Sequence, residues 1–167
     1  QNRQLKIENT LLSKKLEEEV SKHNAKNEAL IKKSIQEEKA QIEKEIESIK
    51  VELNKRIAGS EAGLFHIQAN HELDSYPENA ILSFCSSATR YMDSEDELNL
   101  QRVLNCIIKD CLPKINTDHL EDSQDILTDL DNLLEKLSKN NPNGRYSDII
   151  SDIKRELIQS KKRTPKP

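Results

Sequence analysis

The first 57 residues contain no proline, glycine, cysteine, phenylalanine, tyrosine or tryptophan, and every proline, glycine, cysteine, phenylalanine and tyrosine of the chain follows them. Proline and glycine are the residues that most often end helices and form turns. Their absence over so long a segment, together with its Glu, Lys, Gln and Leu content, favours one continuous helix. The rest of the chain is expected to fold as a compact domain with turns.

The long segment carries an aliphatic row with the spacing of a coiled-coil seam. From Ile42 to Leu53 the spacing alternates between four and three residues, as in a heptad repeat. Such a seam on a helix with charged flanks predicts association with another helix, and a parallel dimer of this chain is the expected form. The predicted seam consists of Leu5, Leu12, Leu16, Leu30, Ile35, Ile42, Ile46, Ile49 and Leu53.

The two halves of this seam do not share one heptad register. Leu5, Leu12, Leu16 and Leu30 fit one register, and joining it to Ile35 requires a skip. A skip of this kind locally unwinds or loosens a supercoil. Asn9 and His23 fall on the first register, where polar residues fix the register and oligomer state, or are merely tolerated in a frayed segment. Both interpretations stay open at this point.

The second part of the chain predicts several short helices. Between residues 60 and 160, apolar residues recur every three to four positions in four or five segments, and no segment alternates as a strand does. Their apolar faces are wide, so each helix needs neighbours on more than one side. The predicted fold is therefore all-α: a long N-terminal coiled-coil helix (residues 1–58), a four- to five-helix bundle (59–160) and a basic disordered tail (161–167).

Turn and cap residues predict where these helices begin and end. Gly59 and Gly63 are expected to loosen the end of the long helix, and Ser94 to open a capping box of the form S-x-x-E. One helix is predicted from about residue 118 to 139. The Asn-Asn-Pro-Asn-Gly sequence after it is the strongest turn signal in the chain, and Ser147 is expected to cap the last helix.

Charge is distributed unevenly along the chain. Residues 58–153 carry 7 Lys/Arg and 18 Asp/Glu, a net charge of −11, whereas residues 154–167 carry a net charge of +5. The acidic runs 93–97 and 121–125 are expected at helix N-termini, where the helix dipole favours carboxylates. A candidate acidic docking face for a basic protein surface consists of Glu121, Asp122, Asp125 and Asp129. Nucleic-acid binding is disfavoured because phosphate recognition needs a basic surface.

The sequence offers no recognisable catalytic, metal or cofactor motif. It lacks the glycine-rich phosphate loops, the HExxH zinc motif and the GxSxG nucleophile motif. The three cysteines Cys85, Cys106 and Cys111 include no CxxC pair, so reduced thiols packed as small apolar residues are expected. We therefore predict no catalytic residues, no cofactor and no metal.

These observations favour a non-enzymatic scaffold or adaptor that self-associates through its coiled coil and presents acidic helical bundles to other proteins. An intracellular location, cytoplasmic or nuclear, is expected from the thiols, and no segment is apolar enough to cross a membrane. The main alternative is one subunit of a hetero-oligomeric assembly, of the tether, spindle, kinetochore or nuclear-pore type. Others are a helical enzyme or enzyme regulator, and an adaptor that uses the basic tail on membranes or nucleic acid. Because the first residue is Gln, the chain is expected to be part of a longer protein.

Overall fold

The computed structural model describes residues 2–164, and within this range it contains helices and turns but no strand. The all-α prediction is confirmed, with one long N-terminal helix followed by several shorter ones. The α-helices are α1 (Asn2–Glu72), α2 (Pro77–Asp93), α3 (Glu97–Cys106), α4 (Thr117–Asp122), α5 (Gln124–Lys139) and α6 (Ser147–Ser160). Three shorter helical segments are a π-helix (Ile107–Cys111) and two 3-10 helices (Leu112–Lys114 and Pro142–Gly144).

The chain divides into two structural units, residues 1–50 and 51–167, so the boundary lies several residues before the predicted one at 58. The described part of the first unit is a segment of α1. Every side chain from residue 3 to residue 50 is exposed in the single chain. Residues 3–50 therefore contribute to no hydrophobic core in the single chain.

The second unit is a helical domain with one hydrophobic core. Its α2 packs on both α3 and α5, and α6 packs on α5 and on the segment that follows α3. The apolar faces predicted for these helices supply the core, as the sequence periodicity requires. The largest fully buried apolar side chains include Phe84, Ile81, Leu100, Leu104, Ile107, Leu112, Ile115, Ile126, Leu130, Leu133 and Leu137.

The two glycines expected to loosen the end of the long helix lie in its interior. The prediction is wrong at this point, because α1 continues without interruption to Glu72. A Cβ placed on Gly59 would lie 3.5 Å from the Cβ of Ser94, so this position is one where α1 approaches the rest of the domain closely. The buried hydroxyl of Ser87 donates a hydrogen bond to the backbone oxygen of Ala62 at 2.8 Å. Here α1 packs against the rest of the domain, and neither glycine ends the helix.

The cap of α3 also differs from the prediction. Asp96, not Ser94, occupies the N-cap, and its carboxylate accepts a hydrogen bond from the backbone N–H of Asn99 at 3.1 Å. Ser94 instead donates its hydroxyl proton to the backbone oxygen of Tyr91. Glu95 has a φ of 59°, so the chain turns sharply between α2 and α3. The sharp turn places the aspartate, two residues later, at the helix start.

The helix predicted over residues 118–139 is two helices. They meet at Ser123, whose extended backbone ends α4 and precedes α5. A capping box opens α4, in which Asn116 accepts from the N–H of His119 and the His119 ring accepts from the N–H of Asn116. The cap predicted for the last helix is wrong as well. Ser147 is the first residue of α6, and Tyr146 precedes it without a side-chain cap.

Part of the tail predicted to be disordered is held against the domain. The guanidinium of Arg163 donates to the backbone oxygen of Leu112 at 2.7 Å and to the hydroxyl of Ser160 at 2.9 Å. The backbone N–H of Thr117 donates to the backbone oxygen of Arg163 at 3.1 Å. The basic tail is therefore fixed as far as this residue, and residues 165–167 of the predicted tail lie outside the described residues.

Candidate interaction surfaces

Between residues 5 and 53, α1 exposes a row of large aliphatic side chains that belongs to no core in the single chain. Ile35 is 59% exposed, Ile42 54% and Ile49 66%, and the other predicted seam residues have similar exposures. We call this row the aliphatic stripe; it contains the predicted seam residues other than Leu30, with Val20 and Ile31 added. The added residues were absent from the predicted seam because they fit neither of its two heptad registers. Leu30 itself is also exposed in the single chain.

Exposed ion pairs within the helix border the aliphatic stripe. The Nζ of Lys33 lies 3.8 Å from the Oε1 of Glu37, and the Nζ of Lys39 lies 4.0 Å from the Oε1 of Glu43. The two residues of each pair are about one helical turn apart. Such exposed pairs stabilise an isolated helix by only about 0.3–0.5 kcal/mol each. A helix without tertiary packing gains most of its stability from burying an apolar face. The stripe is therefore the apolar surface of this unit that is available for packing against another helix.

Within the second unit, α1 has two contrasting apolar faces. Ala58, Ala62 and Ala69 are buried in the domain, whereas Leu64 and Ile67 are 69% and 70% exposed. The alanine face packs on the domain because its short side chains allow close approach. The exposed pair lies on the other side of the helix, because residues two or five positions apart on a helix point to different faces.

The two acidic runs of the domain have different environments. In the run 93–97, Asp93 lies 2.6 Å from the Nζ of Lys136, Glu95 lies 2.7 Å from that of Lys55, and Asp96 caps α3. The charges of this run are largely neutralised by cations of the same domain. It is therefore part of the structure and a poor candidate for docking.

The second acidic run is not neutralised in this way. Within residues 2–164, none of the carboxylates of Glu121, Asp122, Asp125 and Asp129 forms an ion pair; we call these four residues the acidic segment. Their predicted helix-N-terminal position is wrong for two of them. Glu121 and Asp122 end α4, where the helix dipole disfavours negative charge, and only Asp125 lies in the first turn of α5. Helix capping therefore does not explain why Glu121 and Asp122 are acidic.

Asp129 is the half-buried member of the acidic segment. Burial raises the pKa of its carboxyl, and the nearby carboxylate of Asp125 raises it further. Asp129 lines a surface depression of about 330 Å³ together with Phe65 and Asn132. A cationic or amide-bearing side chain that entered this depression would relieve the unfavourable environment of the carboxylate.

Replacing Asp129 with asparagine is expected to stabilise the domain at neutral pH. The pKa of the Asp129 carboxyl is higher in the folded state than in the unfolded state, so the carboxyl ionises more readily in the unfolded chain. Raising the pH through this range therefore lowers the free energy of unfolding. Asparagine removes that penalty, and the gain disappears once acidification protonates the aspartate in both states. Thermal melts of both proteins at pH 7 and pH 3 measure this difference. An unchanged or lower midpoint for Asp129→Asn at pH 7 contradicts the expectation.

Cys85, Cys111 and His66 are packed among other side chains of the domain. Cys85 and Cys111 are buried, as expected for small apolar residues, and burial raises the pKa of the Cys111 thiol to about 12. The ring of His66 contacts Phe84 edge-on, and burial lowers the pKa of this histidine. Neither environment activates a thiol or an imidazole. Within residues 2–164, no three His, Cys, Asp or Glu side chains are grouped so that they could hold a metal ion.

Comparison with protein-family models, curated proteins and solved structures gives no match to this chain. None of the helices between residues 2 and 164 is both long and apolar enough to span a membrane.

Proposed function

We propose that this protein is a non-enzymatic scaffold or adaptor, which self-associates through the aliphatic stripe of α1 and presents its acidic helical domain to a basic surface of another protein. The observation that carries the proposal is the stripe: Leu, Ile and Val side chains that are 47–66% exposed and pack on no core in the single chain. Large exposed apolar surfaces on a soluble protein mark interaction sites.

Self-association is supported by what the stripe gains from a partner helix. Moving an aliphatic side chain from half exposure to full burial contributes roughly 1–1.5 kcal/mol. The row is spread evenly along the first unit, so many such contributions accumulate in one long interface. A coiled coil is the usual arrangement for a narrow row of this kind. A second copy of α1 presents the same row and is the partner that we propose.

Docking through the acidic segment is supported by its lack of neutralising partners. The run 93–97 shows that this domain pairs carboxylates with its own cations where structure requires it. The acidic segment instead concentrates four carboxylates, one of them in an unfavourable environment, around α4 and the start of α5. Residues that lower stability are often retained because they serve function.

Reversing the exposed charges of the acidic segment tests this docking surface. Changing Glu121, Asp122 and Asp125 together to lysine should slow association with a partner protein that binds through a basic surface. The rate constant should fall about tenfold or more at low salt, because steering by opposite charge raises association rates. For the unmodified protein, the rate should fall steeply as the salt concentration rises to physiological strength. Stopped-flow or biosensor kinetics at two salt concentrations measure both effects.

The matched control reverses three exposed carboxylates outside the acidic segment, namely Glu18, Asp110 and Asp148. This variant changes the net charge by the same amount and should associate at nearly the rate of the unmodified protein. Both variants should keep the thermal midpoint of the domain within a few degrees. Equal rates for the unmodified protein and the acidic-segment variant, or a rate independent of salt, would contradict the proposed docking role.

The cytoplasm or the nucleus is the location that we propose. The support comes from three free cysteines, two of them buried in the core of the domain. Free thiols persist in reducing compartments, whereas oxidising compartments favour disulfides.

A further inference from the structure

The aliphatic stripe is continuous where the heptad interpretation needs a skip. Residues 3–50 are α-helical throughout, including the stretch between Leu30 and Ile35 where the two heptad registers fail to meet. Val20 and Ile31 are 52% and 59% exposed, and neither belongs to those registers. A repeat that includes both residues would remove the discontinuity.

An eleven-residue repeat includes them. One position of the repeat is occupied by Leu5, Leu16, Asn27, Glu38 and Ile49. The position four residues later is occupied by Asn9, Val20, Ile31, Ile42 and Leu53. Eleven residues complete three turns at about 3.67 residues per turn, close to the 3.6 of a straight helix, so both series stay on one face.

The remaining seam residues border these two series. Leu12 lies on one side and is eleven residues from His23, whereas Ile35 and Ile46 lie on the other side and are eleven residues apart. Of the predicted seam, Leu30 alone falls outside the four positions. An eleven-residue repeat produces a right-handed or nearly straight pair of helices, whereas heptads produce a left-handed supercoil.

Charges on the two flanks of the stripe indicate how a second copy would lie. One flank carries, every eleven residues, Lys6, Glu17, Glu28 and Lys39. The other flank carries, at the same spacing, Gln4, Lys15, Lys26 and Glu37. Three of the four charges on the first flank, those of Glu17, Glu28 and Lys39, have an opposite charge two residues earlier in the sequence on the second flank. Two residues correspond to a rise of only about 3 Å along the helix.

This complementarity is specific to a parallel, in-register pair. A two-fold axis parallel to the helices places identical residue numbers at the same height, and one flank of each copy then faces the other flank of its partner. Lys39 thus lies opposite Glu37 of the second copy, and Glu28 lies opposite Lys26. One like charge accompanies them, because Glu19 lies two residues from Glu17. An antiparallel pair instead brings each flank against itself, where the charges do not match in this order.

We infer that two copies of α1 pair in parallel and in register through an eleven-residue repeat, with opposite charges on the two flanks selecting that arrangement. This inference rests on the proposed self-association and specifies its geometry. Asn27 lies opposite its equivalent in the second copy, where paired amides favour this register over others. Glu38 also lies opposite its equivalent, which weakens the pair locally.

Adjacent substitutions distinguish the two repeats in the full chain. Leu30 and Ile31 are neighbours with nearly equal exposure, 56% and 59%, but Leu30 belongs to the heptad seam and Ile31 to the eleven-residue repeat. Ile31→Asp should raise the dimer dissociation constant about a hundredfold, because it places a carboxylate in an apolar interface. Leu30→Asp should raise it less than about fivefold, as for a surface substitution. Sedimentation equilibrium of the full chain measures both constants.

A cysteine substitution tests the orientation. Val20→Cys should form a disulfide-linked dimer on mild oxidation, because the two side chains meet in a parallel, in-register pair, whereas Glu19→Cys should cross-link far less. An unmodified chain that is a monomer would contradict the proposed function itself. A dimer that Leu30→Asp dissociates more readily than Ile31→Asp would overturn the eleven-residue repeat and leave self-association intact. A dimer without the Val20→Cys cross-link would overturn the parallel, in-register arrangement.

Discussion

Replacing Ile42 and Ile49 together with aspartate is expected to convert the proposed dimer of this protein to a monomer. Both side chains are more than half exposed in the single chain, so the substitutions should have little effect on the helix itself. In the dimer they would place four carboxylates in an apolar interface, and each costs several kcal/mol unless the helices separate. The dissociation constant should therefore rise about a thousandfold or more. Light scattering across a range of protein concentrations measures the change.

The matched control changes Ile7 and Val51 to aspartate. These residues are also aliphatic and exposed in the single chain, but they lie outside the aliphatic stripe. The control introduces the same two charges and should remain a dimer. If both double variants dissociate equally, charge repulsion rather than the stripe would explain the loss. If neither dissociates, the stripe is not the interface.

Residues 51–164 are expected to fold alone with one cooperative thermal transition. The buried side chains form one core within this unit, and the alanine face of α1 belongs to that core. Circular dichroism should show a helical spectrum whose midpoint is independent of protein concentration. A broad, non-cooperative loss of signal would mean that the domain requires the rest of the chain.

A shorter fragment, residues 60–160, gives the control for this prediction. It lacks Arg163, whose guanidinium hydrogen-bonds the backbone oxygen of Leu112 and the hydroxyl of Ser160. It also lacks Ala58 and the ion pair between Lys55 and Glu95. Hydrogen bonds to charged groups contribute about 1.5–3 kcal/mol each, so the shorter fragment should unfold at a clearly lower temperature. Equal midpoints would show that Arg163 does not stabilise the domain.

The helical class and the core could be predicted from the sequence because both follow from periodicity. Apolar residues three and four positions apart predicted the buried faces of α2, α3 and α5, and Phe84, Leu104 and Leu130 are fully buried. Helix ends were predicted less well, because one residue type serves several purposes. Gly59 was expected to loosen the end of the long helix, whereas it lies inside α1 where this helix packs against Ser94.

Cap residues show the same ambiguity at closer range. Ser94 and Asp96 are both good N-cap residues and lie two positions apart. The positive φ of Glu95 decides between them. Glutamate rarely adopts a positive φ, so the sequence gives no sign of this backbone conformation. The break at Ser123 was missed for a similar reason, since the apolar spacing continues across it.

The candidate interaction surfaces depend on contacts that the sequence does not show. The acidic run 93–97 and the acidic segment look alike in sequence, and their difference depends on cations such as Lys136 and Lys55 that come from distant positions in the chain. The aliphatic row was visible in the sequence, but the heptad interpretation included Leu30 and omitted Ile31. The spacing of eleven could have been found from Leu5, Leu16 and Ile49 alone.

The molar mass of the purified full chain in solution tests the central claim most directly. Sedimentation equilibrium at micromolar concentration should give about 38 kDa, twice the 19.2 kDa of one chain. That mass should fall to the single-chain value in the Ile42→Asp, Ile49→Asp variant. A mass of 19.2 kDa for the unmodified protein at these concentrations would contradict self-association and would assign the aliphatic stripe to a different chain.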